Sequence, residues 1–155
     1  MEEWLQNLVR LWTHFGDRED PVQDFAEFYA DPVSVNGVEL TIEQLVARAR
    51  ALNTGLSDLQ SEVLQVVEGA GAVDGSGAVA LAFVMRGTHT GPYSTPLGIL
   101  PPTGRSVAIR TIDVLTLTEG RVSAIWVNAD DLGLLLQLEA VVQGSPEAAA
   151  RKESL

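Results

Sequence analysis

The chain has no cysteine, which excludes a disulfide framework, a thiolate nucleophile and a Cys-ligated metal. It has two histidines, and neither stands in an HxH or HExxH pattern, so no metal site is expected. No Gly-x-Gly-x-x-Gly, Walker loop or Gly-x-Ser-x-Gly elbow occurs, which leaves acid–base chemistry by carboxylate and imidazole, or binding without chemistry. Positive charge is scarce: 10 Lys and Arg against 21 Asp and Glu, a formal net charge of −11. That balance repels nucleic-acid phosphates and anionic membrane surfaces, so neither is an expected partner. No apolar run reaches the roughly 18 residues that would span a bilayer. The opening Met-Glu-Glu offers no positive region before an apolar core, so a secretory signal is not expected and a cytoplasmic setting is.

What the chain does have is enough apolar residue, 46% of 155, for a core with an internal cavity. One domain over residues 1–142 is expected, with 143–155, "GSPEAAARKESL" and the residue before it, as a flexible tail. Trp4, Leu5, Leu8, Leu11, Trp12 and Phe15 recur at spacings of three and four, one face of an amphipathic helix. Asp20-Pro21 reads as the start of a second helix through Ala30. Asn36-Gly37 reads as a hairpin turn. Thr41 with Gln44 reads as a capping box opening a third helix to about Leu52. Strands follow at 60–68, 78–90, 106–118 and 121–129, and a closing helix at 132–142. Helices first and then antiparallel strands indicate an α+β domain. Three modest helices cover one face of such a sheet and leave the other, which predicts a homodimer through the exposed face.

Alternation along the strands sorts the polar residues. On the last strand Trp126, Asn128 and Asp130 share a parity with Val122 and Ala124. That set offers an apolar wall with placed polar groups, as a ligand pocket requires. Equally, polarity rises at strand ends for no functional reason. On the third strand Asp113 is the one charge among Val107, Ile109, Thr111, Leu115 and Leu117, so it must be paired, hydrogen-bonded or neutral. Arg86 and Thr88 share a face on the second strand. His89 lies where that strand runs into the Gly91–Pro101 loop, whose prolines and glycines suit a lid over the pocket.

The stretch "RGTHTGPYSTPLGILPPTGRSVAIRTIDVLTLTEGRVSAIWVNADDLGLLLQL" resembles the SnoaL-like polyketide cyclases, of the nuclear transport factor 2-like superfamily of α+β cones. The resemblance rests on Gly87-Thr88-His89-Thr90-Gly91, Pro102-Thr103-Gly104-Arg105, Asp113, the "TEGRV" hairpin, Trp126 with Asp130 four residues on, and Gln137-Leu138. It implies N-terminal helices packed on a curved sheet and a cofactor-free acid–base enzyme closing a ring in a hydrophobic polyketide-like substrate by an aldol step. It also implies Asp130 as general acid and base, leaving Asp131 to cap the helix. His89 and Asp113 are then expected as catalytic partners, and Trp126, Asn128 and Arg86 as substrate-binding. Two positions depart from the pattern: Ala124 where members carry Glu, and Thr116 where an Arg is frequent. Limonene-epoxide hydrolases, also similar, use an Asp–Arg–Asp triad; here Arg86 is kept but Thr88 and Asn128 stand at the Asp positions. Epoxide opening or isomerisation from another carboxylate, and a non-catalytic binding module, are the alternatives.

Overall fold

The computed structural model describes residues 1–141; the expected tail, and Val142 at the end of the expected last helix, lie outside the described residues. Helix α1 (Glu2–Thr13) buries Leu5, Leu8 and Leu11, the stripe set by the three- and four-residue spacing. Helix α2 (Pro21–Phe28) starts at Asp20, whose side chain accepts from Gln23 N–H. Strand β1 (Tyr29–Val35) turns at Asn36-Gly37 into β2 (Val38–Leu40); both turn residues have positive φ, as a tight hairpin demands. The capping box at Thr41 and Gln44 is present, and α3 (Ile42–Gly55) runs three residues beyond the expected Leu52. Then come β3 (Leu56–Glu68), β4 (Gly77–His89), β5 (Tyr93–Thr95), β6 (Gly98–Leu100), β7 (Ser106–Thr118), β8 (Arg121–Ala129) and α4 (Asp131–Gln137).

Six strands form one sheet in the order β2-β1-β8-β7-β4-β3. All neighbours are antiparallel except β1 and β8, which pair in parallel. That parallel pair corrects the all-antiparallel expectation: α3 and the strands after it separate β1 from β8 in sequence, so their pairing is a long crossover, not a hairpin. Helices α1 to α3 pack on the inner face, where Leu81, Leu115 and Val122 join Leu5, Phe25 and Leu45 in the main core. A second cluster, Leu56, Leu59, Val107, Ile109, Leu134 and Leu138, seals the end under α4. Gln137 completes the sheet there: its side-chain amide accepts from Ala108 N–H at 2.7 Å and donates to Ala108 C=O at 2.9 Å, past the point where β8 ends.

The Gly91–Pro101 segment is the β5–β6 hairpin. Thr90 N–H and Gly91 N–H both donate to Gly55 C=O, and Tyr93 lies so close to Gly55 that a Cβ there would stand 2.6 Å from the ring. No residue of the hairpin lines the cavity described below. The expected lid is thus a docked hairpin on the end of α3.

Candidate active site

Between the helices and the inner face of the sheet lies a cavity of about 260 Å³. Its walls are apolar: Leu8 and Val9 from α1, Leu45 and Leu52 from α3, Leu81, Phe83 and Met85 from β4, and Ile125, Val127 and Ala129 from β8. Five lining side chains carry polar atoms: Trp12, Tyr29, Arg48, Thr111 and Asp113. Arg48 enters from an exposed position on α3.

Asp113 reaches this cavity because β7 alternates without interruption. Thr111, Asp113, Leu115 and Leu117 point inward while Ile112 and Val114 point out. In the sheet Asp113 sits between Leu81 of β4 and Val127 of β8, neither of which can pair with a charge. Its Oδ1 is buried and has no hydrogen-bond partner. Burial therefore pushes its pKa up to about 7, because the charged form loses its hydration with nothing in exchange. Two residues away, Thr111 Oγ1 is also buried and unpartnered. Across the cavity Tyr29 hydroxyl accepts from Trp12 Nε1 at 2.9 Å. Burial raises the phenol well above its usual range; the Trp12 N–H pulls it part of the way back, and the Asp113 charge adds to the rise. The phenol stays protonated at neutral pH.

Of the six residues expected at the site, Asp113 alone lines this cavity. Trp126 is 62% exposed on the opposite face, and Asn128 is exposed beside it. The correction is one of parity. The pairing of β7 and β8 shifts at Thr116/Leu117, where Ser123 is extra, so Val122 and Ile125 both face inward across a three-residue step. From there Ile125, Val127 and Ala129 line the cavity, and the polar-looking set is the outer one. A single bulged residue exchanges the two faces of everything after it.

Asp130 is exposed. Its Oδ1 accepts from Gly133 N–H at 2.8 Å and caps α4, and a Cβ at Gly133 would run into that carboxylate. The roles expected of the adjacent pair are therefore displaced: Asp130 is the cap and Asp131 the first helical residue. Arg86 is exposed and pairs with Glu62 at 2.9 Å on the outer side of the sheet. His89 is fully buried, but away from the cavity. Its Nδ1 accepts from Thr103 N–H at 3.2 Å and lies 3.0 Å from Thr103 Oγ1; its backbone N–H donates to Arg105 C=O and its C=O accepts from Gly104 N–H. It ties the Pro102-Thr103-Gly104 turn to the end of β4 and touches no carboxylate. The polar lining residues not singled out as site residues from sequence are Tyr29, Trp12, Thr111 and Arg48. The helical stripe did contain Trp12, but nothing local marks which polar atoms a distant strand will meet.

Among the described residues no three His, Cys, Asp or Glu side chains gather as metal ligands, and no helix is long and apolar enough to cross a membrane.

A family model described as "SnoaL-like polyketide cyclase" matches residues 5–138. No curated protein matches the chain. Among solved structures, TsrD from Streptomyces laurentii is similar over 90% of this chain and 95% of its own, with 20% identity and a TM-score of 0.72. AclR from Streptomyces galilaeus, a candidate hydroxylase, aligns over 99% of this chain and 94% of its own, at 22% identity and a TM-score of 0.70. IdmH from Streptomyces antibioticus, a candidate polyketide cyclase, aligns over 89% and 97%, at 20% identity and a TM-score of 0.67. At these identities the structural likeness fixes the fold.

Proposed function

The chain belongs to the SnoaL-like polyketide cyclase family, and from that premise we propose that it is a cofactor-free acid–base enzyme whose proton-transfer group is Asp113. The observation that carries the reading is one carboxyl with an unpartnered oxygen in a cavity whose walls are mostly apolar. A pKa near 7 lets it accept a proton and return it in the same turnover, since acid and base forms are both populated at neutral pH. The apolar walls suit a hydrophobic polyketide-like molecule. Ring closure by an intramolecular aldol step needs no more from the protein than one such proton shuttle and a shape that brings the two ends together.

A carboxyl committed to structural partners would favour a binding module; Asp113 Oδ1 has none. Epoxide opening through an Asp–Arg–Asp triad draws no support, because Arg86 is engaged with Glu62 away from the cavity. We further propose that a second copy covers the outer sheet face, where Ile112, Val114 and Trp126 are exposed together.

The test is Asp113→Asn beside Asp130→Asn, assayed with small hydrophobic diketones able to close by aldol addition. Turnover of the Asp113 variant should fall on the order of 10²–10⁴-fold, the usual worth of a positioned acid or base, while Asp130→Asn keeps most of its rate. Equal turnover in wild type and Asp113→Asn would leave binding as the function.

A further inference from the structure

Asp113 shares its cavity with a second group whose hydrogen-bonding capacity is half used. Tyr29 is 3% exposed, lines the cavity and accepts from Trp12 Nε1. Among the described residues nothing accepts its own proton. A buried hydroxyl normally spends both capacities. Its oxygen is committed to Trp12, so the O–H is left to the cavity. The site thus offers a donor from β1 and an unpartnered carboxyl oxygen from β7, close enough for the Asp113 charge to act on the phenol.

We propose that Tyr29 is a catalytic residue of this site: it donates to a substrate carbonyl oxygen while Asp113 works on the C–H bond beside that carbonyl. The inference rests on the reading of Asp113 as the proton carrier, and it narrows the substrate to a hydrophobic carbonyl compound with an acidic α-hydrogen. Asp113 carboxylate takes the α-proton. The C–H electron pair becomes the carbon–carbon double bond of an enolate, and the carbonyl π pair moves onto oxygen, where the Tyr29 O–H holds the charge. The enolate carbon then forms a bond to a second carbonyl carbon of the same molecule. That carbonyl's oxygen takes the proton back from Asp113, so no proton is gained or lost and no co-reactant is needed. A donor aimed at the oxygen that becomes charged is stronger in a dry site than in water. Trp12 is the positioning residue. Its N–H fixes which side of the phenol oxygen faces the cavity, and donating to that oxygen makes the O–H a better donor in turn.

The probe is 2-naphthol, whose ionised form resembles an enolate, with binding read by its fluorescence on the full chain. Tyr29→Phe should weaken binding by about tenfold or more and lower kcat on the order of 10²–10³-fold, the worth of one such donor, with KM shifted far less. Trp12→Phe should give a smaller loss of kcat with the same KM, as expected of a residue acting through Tyr29. Tyr29→Phe leaves the Trp12 N–H without an acceptor, so Trp12→Phe/Tyr29→Phe, which removes both partners, is the folding control and should lose naphthol binding equally. Naphthol binding by Tyr29→Phe as tight as by wild type overturns the proposal, even if Asp113→Asn is inactive. If instead Asp113→Asn stays active, the acid–base reading fails, and naphthol binding to Tyr29→Phe alone decides for or against Tyr29 as the donor.

Discussion

Strand β7 shows two opposite solutions on its two faces, one residue apart. Inward, Asp113 places a carboxyl among Leu81, Val127 and the cavity, where its charge is costly. Outward, Ile112 is 58% exposed and faces Asn128 and Ala82 across the sheet, and Val114 is exposed beside Trp126. Each side has the residue type that solvation alone would have put on the other. A polar group held in a mostly apolar cavity and apolar groups held in water are both placements that solvation alone does not explain. The difference teaches that misplaced polarity is where function is to be sought, and that the same strand carries two such places.

The comparison is tested most severely by truncating one neighbour on each face. Leu115→Ala removes a fully buried side chain and should cost about 2–5 kcal/mol of stability. Val114→Ala should stay within about 0.5 kcal/mol if its face is free surface. If a second copy covers that face, Val114→Ala should instead cost more as protein concentration rises, and Ile112→Lys should yield a monomer by light scattering. A wild-type monomer at micromolar concentration would remove the outer half of the comparison and leave the inner half intact.

The inner half has its own signature in pH. The folded-state pKa of Asp113, about 7, lies above the ordinary 3.8, so folding favours the protonated form. Stability from this group is fully present below about pH 3.8 and is lost as pH rises to about 7. Above that the fold carries an uncompensated charge. Asp113→Asn should therefore change stability little near pH 4. It should gain progressively on wild type up to about pH 7 and level off on the order of 4 kcal/mol more stable, the shift from 3.8 to about 7 taken at about 1.4 kcal/mol per unit. Urea unfolding at one-unit steps checks this. A difference that does not vary between pH 4 and 8 would mean that Asp113 is well solvated and the cavity is not dry.

Much of the fold was legible because it is written locally. The Asn36-Gly37 turn, the Thr41–Gln44 box, and the bounds of β7 and β8 each depend on residues within a few positions. Asp113 was legible as a charge in an unbroken apolar alternation. The rest depended on distant pairing. One extra residue at Ser123 exchanges the faces of β8, so plain alternation points Trp126 and Asn128 inward where Ile125 and Val127 hold that side. Tyr29 became part of the site only through Trp12, 17 residues away, and through strands that close the sheet much later. Arg86 had the right chemistry for a site, but Glu62 spends it on the outer side of the sheet; His89 gives its Nδ1 to Thr103 and keeps a buried, unpartnered Nε2 away from the cavity.

Small effects are also expected at the two adjacent carboxylates, and they separate the faces at their shared edge. Asp130 N–H donates to Arg110 C=O, so its backbone still belongs to the sheet, while its side chain holds Gly133 N–H and starts α4. Asp130→Ala should cost about 1 kcal/mol, the usual worth of an N-cap. Asp130→Asn should cost less, because an amide oxygen accepts the same bond. Asp131 makes no hydrogen bond with its side chain among the described residues. It acts on the helix only as a negative charge in the first turn, a contribution of about 0.3–1 kcal/mol at low ionic strength. Asp131→Ala should therefore lose its effect in high salt, whereas Asp130→Ala should keep its own, because a direct hydrogen bond is not screened away. Thermal unfolding of the two variants with and without 1 M salt tells them apart. A salt-insensitive loss at Asp131 together with none at Asp130 would return the capping role to Asp131 and free Asp130 to turn toward the ligand side.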